Sequence, residues 1–323
     1  MIGYTYTYFE RYLKHLLTRE DFNTMLSADS IETAIKNIVE KPLGTILYDI
    51  IRRETYELSE LYNALEKYNY ARLSEIKRSL KEEDRRVLNA FDKLFDTLNL
   101  WNIVSCINNN RKPSIIYPLG ETYGLDLSGI NSVEKLVKIL PVELTDIIDY
   151  LREYGVEKLS SIIRVYSKFD DYKYMGVRTR RIYGLIRDGL LIRMCLAIEG
   201  REELDNISKL LTLSREEFIE ICNSKLENLP SIFHGMSPLY SEMGNVLSSL
   251  FKMGVSPEIF DLGLFLYASS ITNDLLSSNE EVATRIYVLS IGETLLARTV
   301  LATLHLGMFT DVLRDTILKW WPL

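Results

Sequence analysis

The chain has 323 residues, 47% of them hydrophobic and 26% charged, and a formal net charge of −7. That length exceeds what one hydrophobic core normally organises, so two or three compact units are expected. The acidic balance excludes a general nucleic-acid binder, which needs a basic face to displace counterions from phosphates. With 16 Gly and 8 Pro there are too few turn residues for an all-β fold, and helical periodicity runs nearly end to end, so the fold class expected is all-α. Cys106, Cys195 and Cys222 have no CxxC spacing and lie in apolar helix patterns, which reads as buried free thiols in a reducing compartment. The opening Met1-Ile2-Gly3-Tyr4-Thr5 has no secretion-signal pattern. No run approaches the ~18 apolar residues that span a bilayer. A cytoplasmic protein that meets a membrane only through a partner is expected.

In chain order, a first helix is expected from Tyr8 to Leu17, with Phe9, Tyr12, Leu13 and Leu16 on one face. Asp29-Ser30 signals the N-cap of a second helix carrying Ile31, Ala34, Ile35 and Ile38, which is expected to end at Pro42 and Gly44. Helical period continues from Leu47 to Lys67 through Leu58, Leu61 and Leu65. The charge-rich segment Tyr70 to Asp84, with Arg72, Glu75, Lys77 and Arg78, reads as a solvated helix face or the end of a helical hairpin. Phe91, Leu94, Phe95, Leu98, Trp101 and Val104 then mark a long apolar helix. Asn108 to Gly129 holds Asn, Pro and Gly at high density and reads as a loop or unit boundary. Ser132 caps a short helix that stops at Pro141, and Ser214-Arg215-Glu216-Glu217 is a capping-box pattern before Phe218 and Ile221.

The apolar helix recurs. Asp188-Gly189-Leu190-Leu191 follows Asp96-Thr97-Leu98-Asn99 by 92 residues (96 to 188), and Asn279-Glu280-Glu281-Val282 follows that by 91 (188 to 279). Each helix is read as ending at a small or polar break, at Asn108-Asn109-Asn110, Gly200 and Gly292. A near-constant spacing indicates repeats, with units at 1–112, 113–206 and 207–323. Asp96, Asn99, Asp188, Glu280 and Arg285 are the repeat markers, with structural rather than catalytic roles.

Chemistry-bearing patterns are sparse. Arg178, Arg180 and Arg181 form the densest basic spot and are a candidate contact for an acidic partner, or else a solvated helix face. The string from Asn273 to Glu281 fits the NDxxSxxxE metal-binding pattern of class I terpene synthases. On a helix, Asn273, Ser277 and Glu281 would share one face, but the second, Asp-rich motif that those enzymes need is not found: Asp170-Asp171 is followed by Tyr172-Lys173-Tyr174. His15, His234 and His305 share no ligand spacing and read as half-buried polar residues. Gly120-Glu121-Thr122-Tyr123-Gly124 lacks the Lys-Ser/Thr of a phosphate-binding loop. No catalytic group, cofactor or metal ligand set is therefore assigned.

With three helical units in view, the chain resembles the AC39 family, which holds the C-type subunits of archaeal A-type ATP synthases and their d-type relatives in V-type ATPases. Tyr8-Phe9-Glu10-Arg11 through Ala28-Asp29-Ser30-Ile31-Glu32, Glu60 to Lys67, Asp96-x-x-Asn99-Leu100, and Glu280-Glu281-Val282-Ala283-Thr284-Arg285-Ile286 carry the resemblance. It departs from the family pattern at Lys41, Leu43, Ser105, Cys106 and Leu191. The resemblance implies three similar helical units around a pseudo-threefold axis in a funnel, and a non-catalytic rotor protein at the cytoplasmic face of the membrane. Its implied partners are the D and F shaft subunits and the membrane proteolipid ring. Two rival readings remain, a terpene synthase-like enzyme and an unrelated helical-repeat scaffold.

Overall fold

The computed structural model describes residues 10–53, 55–155, 159–169, 171–197 and 210–323. Among these there are fifteen complete α-helices and no strand, so the fold is all-α. The first eighty residues give α1 (Arg19–Leu26), α2 (Ile31–Asn37), α3 (Pro42–Ile51) and α4 (Leu58–Ser79). Residues 81–223 give α5 (Glu82–Asn108), α6 (Val133–Ile139), α7 (Val142–Tyr154), α8 (Leu159–Lys168), α9 (Val177–Ala197) and α10 (Arg215–Cys222). The remainder gives α11 (Leu229–His234), α12 (Pro238–Leu250), α13 (Pro257–Ser270), α14 (Asn279–Leu306) and α15 (Thr310–Trp320). The chain separates into two compact units, one made of Met1–Leu80 with Ser224–Leu323 and the other of Lys81–Asn223.

The helix starts follow from side-chain caps. Ser30, Ser132 and Ser214 each accept the backbone N–H three residues on, and at Ser214 the Glu217 carboxylate returns the bond in a full capping box. Other boundaries differ from the expectation. Only residues 10–15 of the expected first helix are described as helical, and its opening lies outside the described residues. The helix carrying Ile31 ends at Asn37, and Pro42 is instead the first residue of α3, where its missing N–H is harmless. Gly44 lies inside α3 because a Cβ there would come 1.9 Å from the Ile38 carbonyl oxygen. The period from Leu47 to Lys67 is two helices separated at residues 52–57.

The unit formed by the chain's two ends is organised on α14, which packs against α1, α4, α13 and α15. This helix is long and apolar enough to cross a membrane by length and composition, contrary to the expectation that no segment would be. Its apolar window is 78% buried inside the protein, so it is the unit's central core helix. Gly292, read as a break, lies mid-helix. A Cβ there would come 2.6 Å from Ser269 Oγ and 3.0 Å from the Trp321 ring, so the glycine allows α13 and the chain end to pack closely. Trp321 is fully buried and meets Phe22 edge-on. Arg72, assigned to a solvated face, is also buried. It donates to Glu293 Oε2 at 2.6 Å and to the Ser290 carbonyl, and stacks on Tyr68. The surrounding charges lie on the outer face of the same helix, and Arg72 falls on the inner stripe with Leu65, Asn69 and Leu73.

In the unit 81–223, α5 packs on α7 and α8, burying Leu100, Ile103, Leu144, Ile148, Leu151 and Val165 together. Phe91 meets Tyr183 edge-on across α5 and α9. Cys195 and Cys222 are joined in a disulfide, with Cα atoms 5.6 Å apart. The expectation of free thiols thus fails for two of the three cysteines. The contact of α9 with α10 brings together residues 27 apart in sequence, which spacing motifs do not register. Cys106 is free and half-buried.

Replacing Arg72 by Met leaves the Glu293 carboxylate buried without its cation and is expected to lower stability by roughly 3–5 kcal/mol in urea titration. Arg72→Met with Glu293→Gln removes both charges while keeping an acceptor for the Leu17 N–H, and should recover most of that loss. A single-variant cost below about 1 kcal/mol would place the pair in solvent.

Candidate functional site

Three buried acids in the middle of long helices hold connecting segments by their backbone. Asp96 on α5 is 1% exposed. Its Oδ1 accepts the Thr122 N–H at 2.8 Å and the Thr122 hydroxyl at 2.7 Å, and its Oδ2 accepts the Glu121 N–H at 3.2 Å. One turn on, the Asn99 side-chain oxygen accepts the N–H groups of Ile116 and Tyr117. Its amide donates to the Tyr117 carbonyl and to the Thr122 hydroxyl. Asn102, a further turn on, donates to Ser114. The stripe at 96, 99 and 102 therefore fastens residues 114–122 along α5. Gly120, at φ +76°, is required there, because a Cβ would come 2.3 Å from Asp96 Oδ1.

On α9, Asp188 Oδ2 accepts the N–H groups of Leu211 and Thr212 at 2.9 and 2.7 Å and the Thr212 hydroxyl at 2.8 Å. Leu191 stands where Asn99 stands in α5, so this clasp has no amide partner. The close approach falls on the helix side: a Cβ at Gly184 would come 2.8 Å from Thr212 Cγ2.

On α14 the corresponding residue is Glu293. α5 opens at Glu82 and α14 at Asn279, so Asp96 and Glu293 both stand fourteen residues in (82 to 96, 279 to 293). Glu293 Oε1 accepts the Leu17 N–H at 2.6 Å. The same segment is held by the Trp321 indole donating to the Leu17 carbonyl, by Lys41 donating to the Leu16 carbonyl, and by the Arg19 N–H donating to the Leu323 carbonyl. In chain order, each acid holds the segment that follows its helix, and the last holds the first.

Of the sequence markers, Asp96, Asn99 and Asp188 thus stand at clasps, and those of the third helix do not. Glu280 lies in the first turn of α14, and Arg285 donates to the carbonyl and side-chain oxygen of Asn273. The 91-residue spacing matches a helix start to two helix middles. A signal for Glu293 is present, since it is a lone acid in an apolar helical run, as Asp188 is. The Asn273–Glu281 string is a turn followed by a helix N-terminus rather than one helical face. Ser278 caps α14, Glu281 Oε2 accepts the Ser277 N–H at 2.8 Å, and Asn273 is held by Arg285. Its oxygens are used locally and do not line up as metal ligands. His15 is half-buried, while His234 and His305 are exposed, unlike the expectation for them. Arg178, Arg180 and Arg181 are exposed on the first turns of α9.

The acids differ in what neutralises them. Burial, followed by the nearby Asp92 carboxylate, pushes Asp96 up to about 7, against the opposing bonds from Thr122 and Glu121. Asp92 and Asp96 share a cavity of about 400 Å³ with Lys93, Glu121, Glu143 and Asp171, of which Lys93 is paired to Asp171 at 2.9 Å. Burial raises Asp188 as well, opposed by Arg187, whose Nε lies 3.6 Å from Oδ1.

The raised Asp96 group fixes the sign of a pH effect. Between its unfolded value near 3.8 and about 7 only the folded state keeps the proton. Its contribution to stability is complete below that window and is lost as pH rises through it. The stability advantage of the wild type over Asp96→Asn should therefore shrink between pH 4 and 7, by at most roughly 1.4 kcal/mol per pH unit, in parallel urea titrations. A constant difference would mean that Asp96 is ionised throughout.

A family model described as ATP synthase (C/AC39) subunit matches residues 11–248. No curated protein matches the chain.

Proposed function

We propose, from the premise that the chain belongs to the ATP synthase (C/AC39) subunit family and so to an A/V-type ATP synthase, that it is the non-catalytic central-stalk element that couples the rotating shaft to the membrane ring. Its partners in this reading are the D- and F-type shaft subunits and the proteolipid ring, and it works at the cytoplasmic face of the membrane as a peripheral component. The match over residues 11–248 carries the reading. The recurring carboxylate clasps at Asp96, Asp188 and Glu293 support three successive repeats, with boundaries near 112 and 206. They also support the mechanical role, because transmitting torque requires connecting segments that do not yield. No residue is assigned a catalytic part, and no cofactor or metal.

The test is affinity purification of the tagged full-length chain from detergent-solubilised host membranes, with the bound proteins identified by mass spectrometry. Co-purification of the ATPase nucleotide-binding subunits together with the proteolipid is expected. Absence of both, from a preparation in which the ATPase is otherwise intact, overturns the reading. The rival enzyme reading is addressed by Asn273→Ala with Glu281→Ala. Loss of the Glu281 bond at the helix start should cost about 1 kcal/mol and leave ATP-driven ion pumping by the membranes unchanged.

A further inference from the structure

We propose that residues 114–122 are a proton-held lid over the Asp92 and Asp96 carboxylates. While Asp96 keeps a proton the lid lies closed on α5, and loss of that proton as pH rises opens it. Asp92, one turn back on the same helix, sets the pH at which this happens. The lid is a property of the unit 81–223 and does not depend on the coupling role.

The segment is built as a cover. Residues 111–120 are neither helix nor strand, and the N–H groups of Ile116, Tyr117, Glu121 and Thr122 end on Asn99 or Asp96. Gly120 lies directly on the Asp96 carboxylate, where a Cβ would come 2.3 Å from Oδ1. The hydrogen bonds also show which oxygen takes the proton. Oδ1 accepts both the N–H and the hydroxyl of Thr122, and that hydroxyl receives the Asn99 amide at 2.9 Å, so its own hydrogen is directed to Oδ1. Oδ2 holds the longer bond, from the Glu121 N–H at 3.2 Å. A proton on Oδ2 therefore leaves both bonds to Thr122 in place and the lid closed.

Ionisation turns the same geometry against the lid. Asp92 and Asp96 are 4% and 1% exposed, and residues four apart on a helix are neighbours. Two negative charges so placed and so little solvated repel, and lifting the cover from Asp96 is the motion that hydrates it. The groups around the pair are mainly acidic. Glu121 of the lid, Glu143 of α7 and Asp171 of the turn before α9 line the cavity with them, as do Lys93 and Arg86 of α5. Lys93 bonds Asp171 and Arg86 bonds Glu82, each at 2.9 Å. Tyr166 of α8 donates to the Leu94 carbonyl, and Arg193 of α9 lies over the Tyr117 ring. Burial first and Asp92 second push Asp96 up to about 7. A lifted lid returns Asp96 to the ordinary carboxylate range, so the closed state holds the proton more tightly. By linkage the closed state loses stability as pH rises toward 7 and levels off above it.

The experiment is hydrogen exchange of the full-length chain between about pH 5 and pH 8, read by mass spectrometry at the Glu121 and Thr122 amides. Each rate is divided by the intrinsic rate at that pH, and the amides of α14 serve as the reference for global opening. Protection of Glu121 and Thr122 should fall by up to about tenfold per pH unit and level off near pH 7, while α14 stays protected. In Asp92→Asn the levelling should come about one pH unit lower, so that at pH 8 the lid is about tenfold better protected than in the wild type. Should Asp92→Asn not fold, the wild type alone decides: the carboxyl ¹³C resonance of Asp96 must titrate with a midpoint at the pH where protection levels off. Protection that ignores pH, that rises with it, or that falls in step with α14 overturns the inference. So does an Asp92→Asn profile that coincides with the wild type, or a carboxyl midpoint that does not match the exchange.

Discussion

A buried carboxylate that accepts backbone N–H groups is the interaction on which both units depend. A helix interior satisfies its own backbone, but the segments between helices carry donors that must find partners once they are covered. Asp96 takes the donors of Glu121 and Thr122, Asp188 those of Leu211 and Thr212, and Glu293 that of Leu17. Such bonds contribute about 0.5–1.5 kcal/mol each to a neutral acceptor and about 1.5–3 kcal/mol to a charged one. Removing the acceptor at Asp96 or Asp188 strands several donors at once, so these positions do more to specify the path of the chain than their net stabilisation implies. The two close-approach glycines follow from the same constraint. Gly120 gives way on the loop side of the first clasp and Gly184 on the helix side of the second.

The three acids solve the problem of a buried charge differently. Asp188 has Arg187 beside it on its own helix, and Glu293 receives Arg72 from α4. Asp96 has the carboxylate of Asp92 near it and is held toward its neutral form, where Oδ1 still accepts from Thr122. The three buried acids thus differ: burial and Asp92 favour the protonated form of Asp96, Asp188 has an adjacent guanidinium, and Glu293 has a distant one. The contact to the loop fixes the acid's position, and each unit supplies whatever neutralisation its packing allows.

The caps and loops were legible in the sequence because they are local. Ser30, Ser132 and Ser214 each act within three residues of themselves, and the Asn108–Gly129 break is dense in residues that end helices. The polar stripe at Asp96 and Asn99 was legible as a motif, but not its target, since the residues it holds lie 17 to 26 positions on. What the sequence hid are long-range facts. Arg72 sits among charges that are solvated, and only its register on α4 distinguishes it. Glu293 is missed because the 91-residue spacing pairs the middles of two helices with the start of the third. The Cys195–Cys222 pair joins helices whose contact no spacing announces. The Asn273–Glu281 string matched a helical pattern, but Ser278 caps the helix after the string has begun, so its first ligand was never on the helical face.

These clasps bear on where the fold would yield under load. Helices are stiff along their length, and the connections between them are ordinarily the softest elements of a fold. Here the connections at 114–122 and 211–212, and the segment around Leu17, are tied to the middles of α5, α9 and α14 rather than to their frayed ends. A force entering along one of these helices therefore reaches the next segment through short hydrogen bonds to its backbone, without first straightening a loop. The disulfide between α9 and α10 adds a covalent tie within the same unit. The turn at 173–181 follows the same construction on the outside, where Arg180 fixes the backbone that presents Tyr174 and Val177.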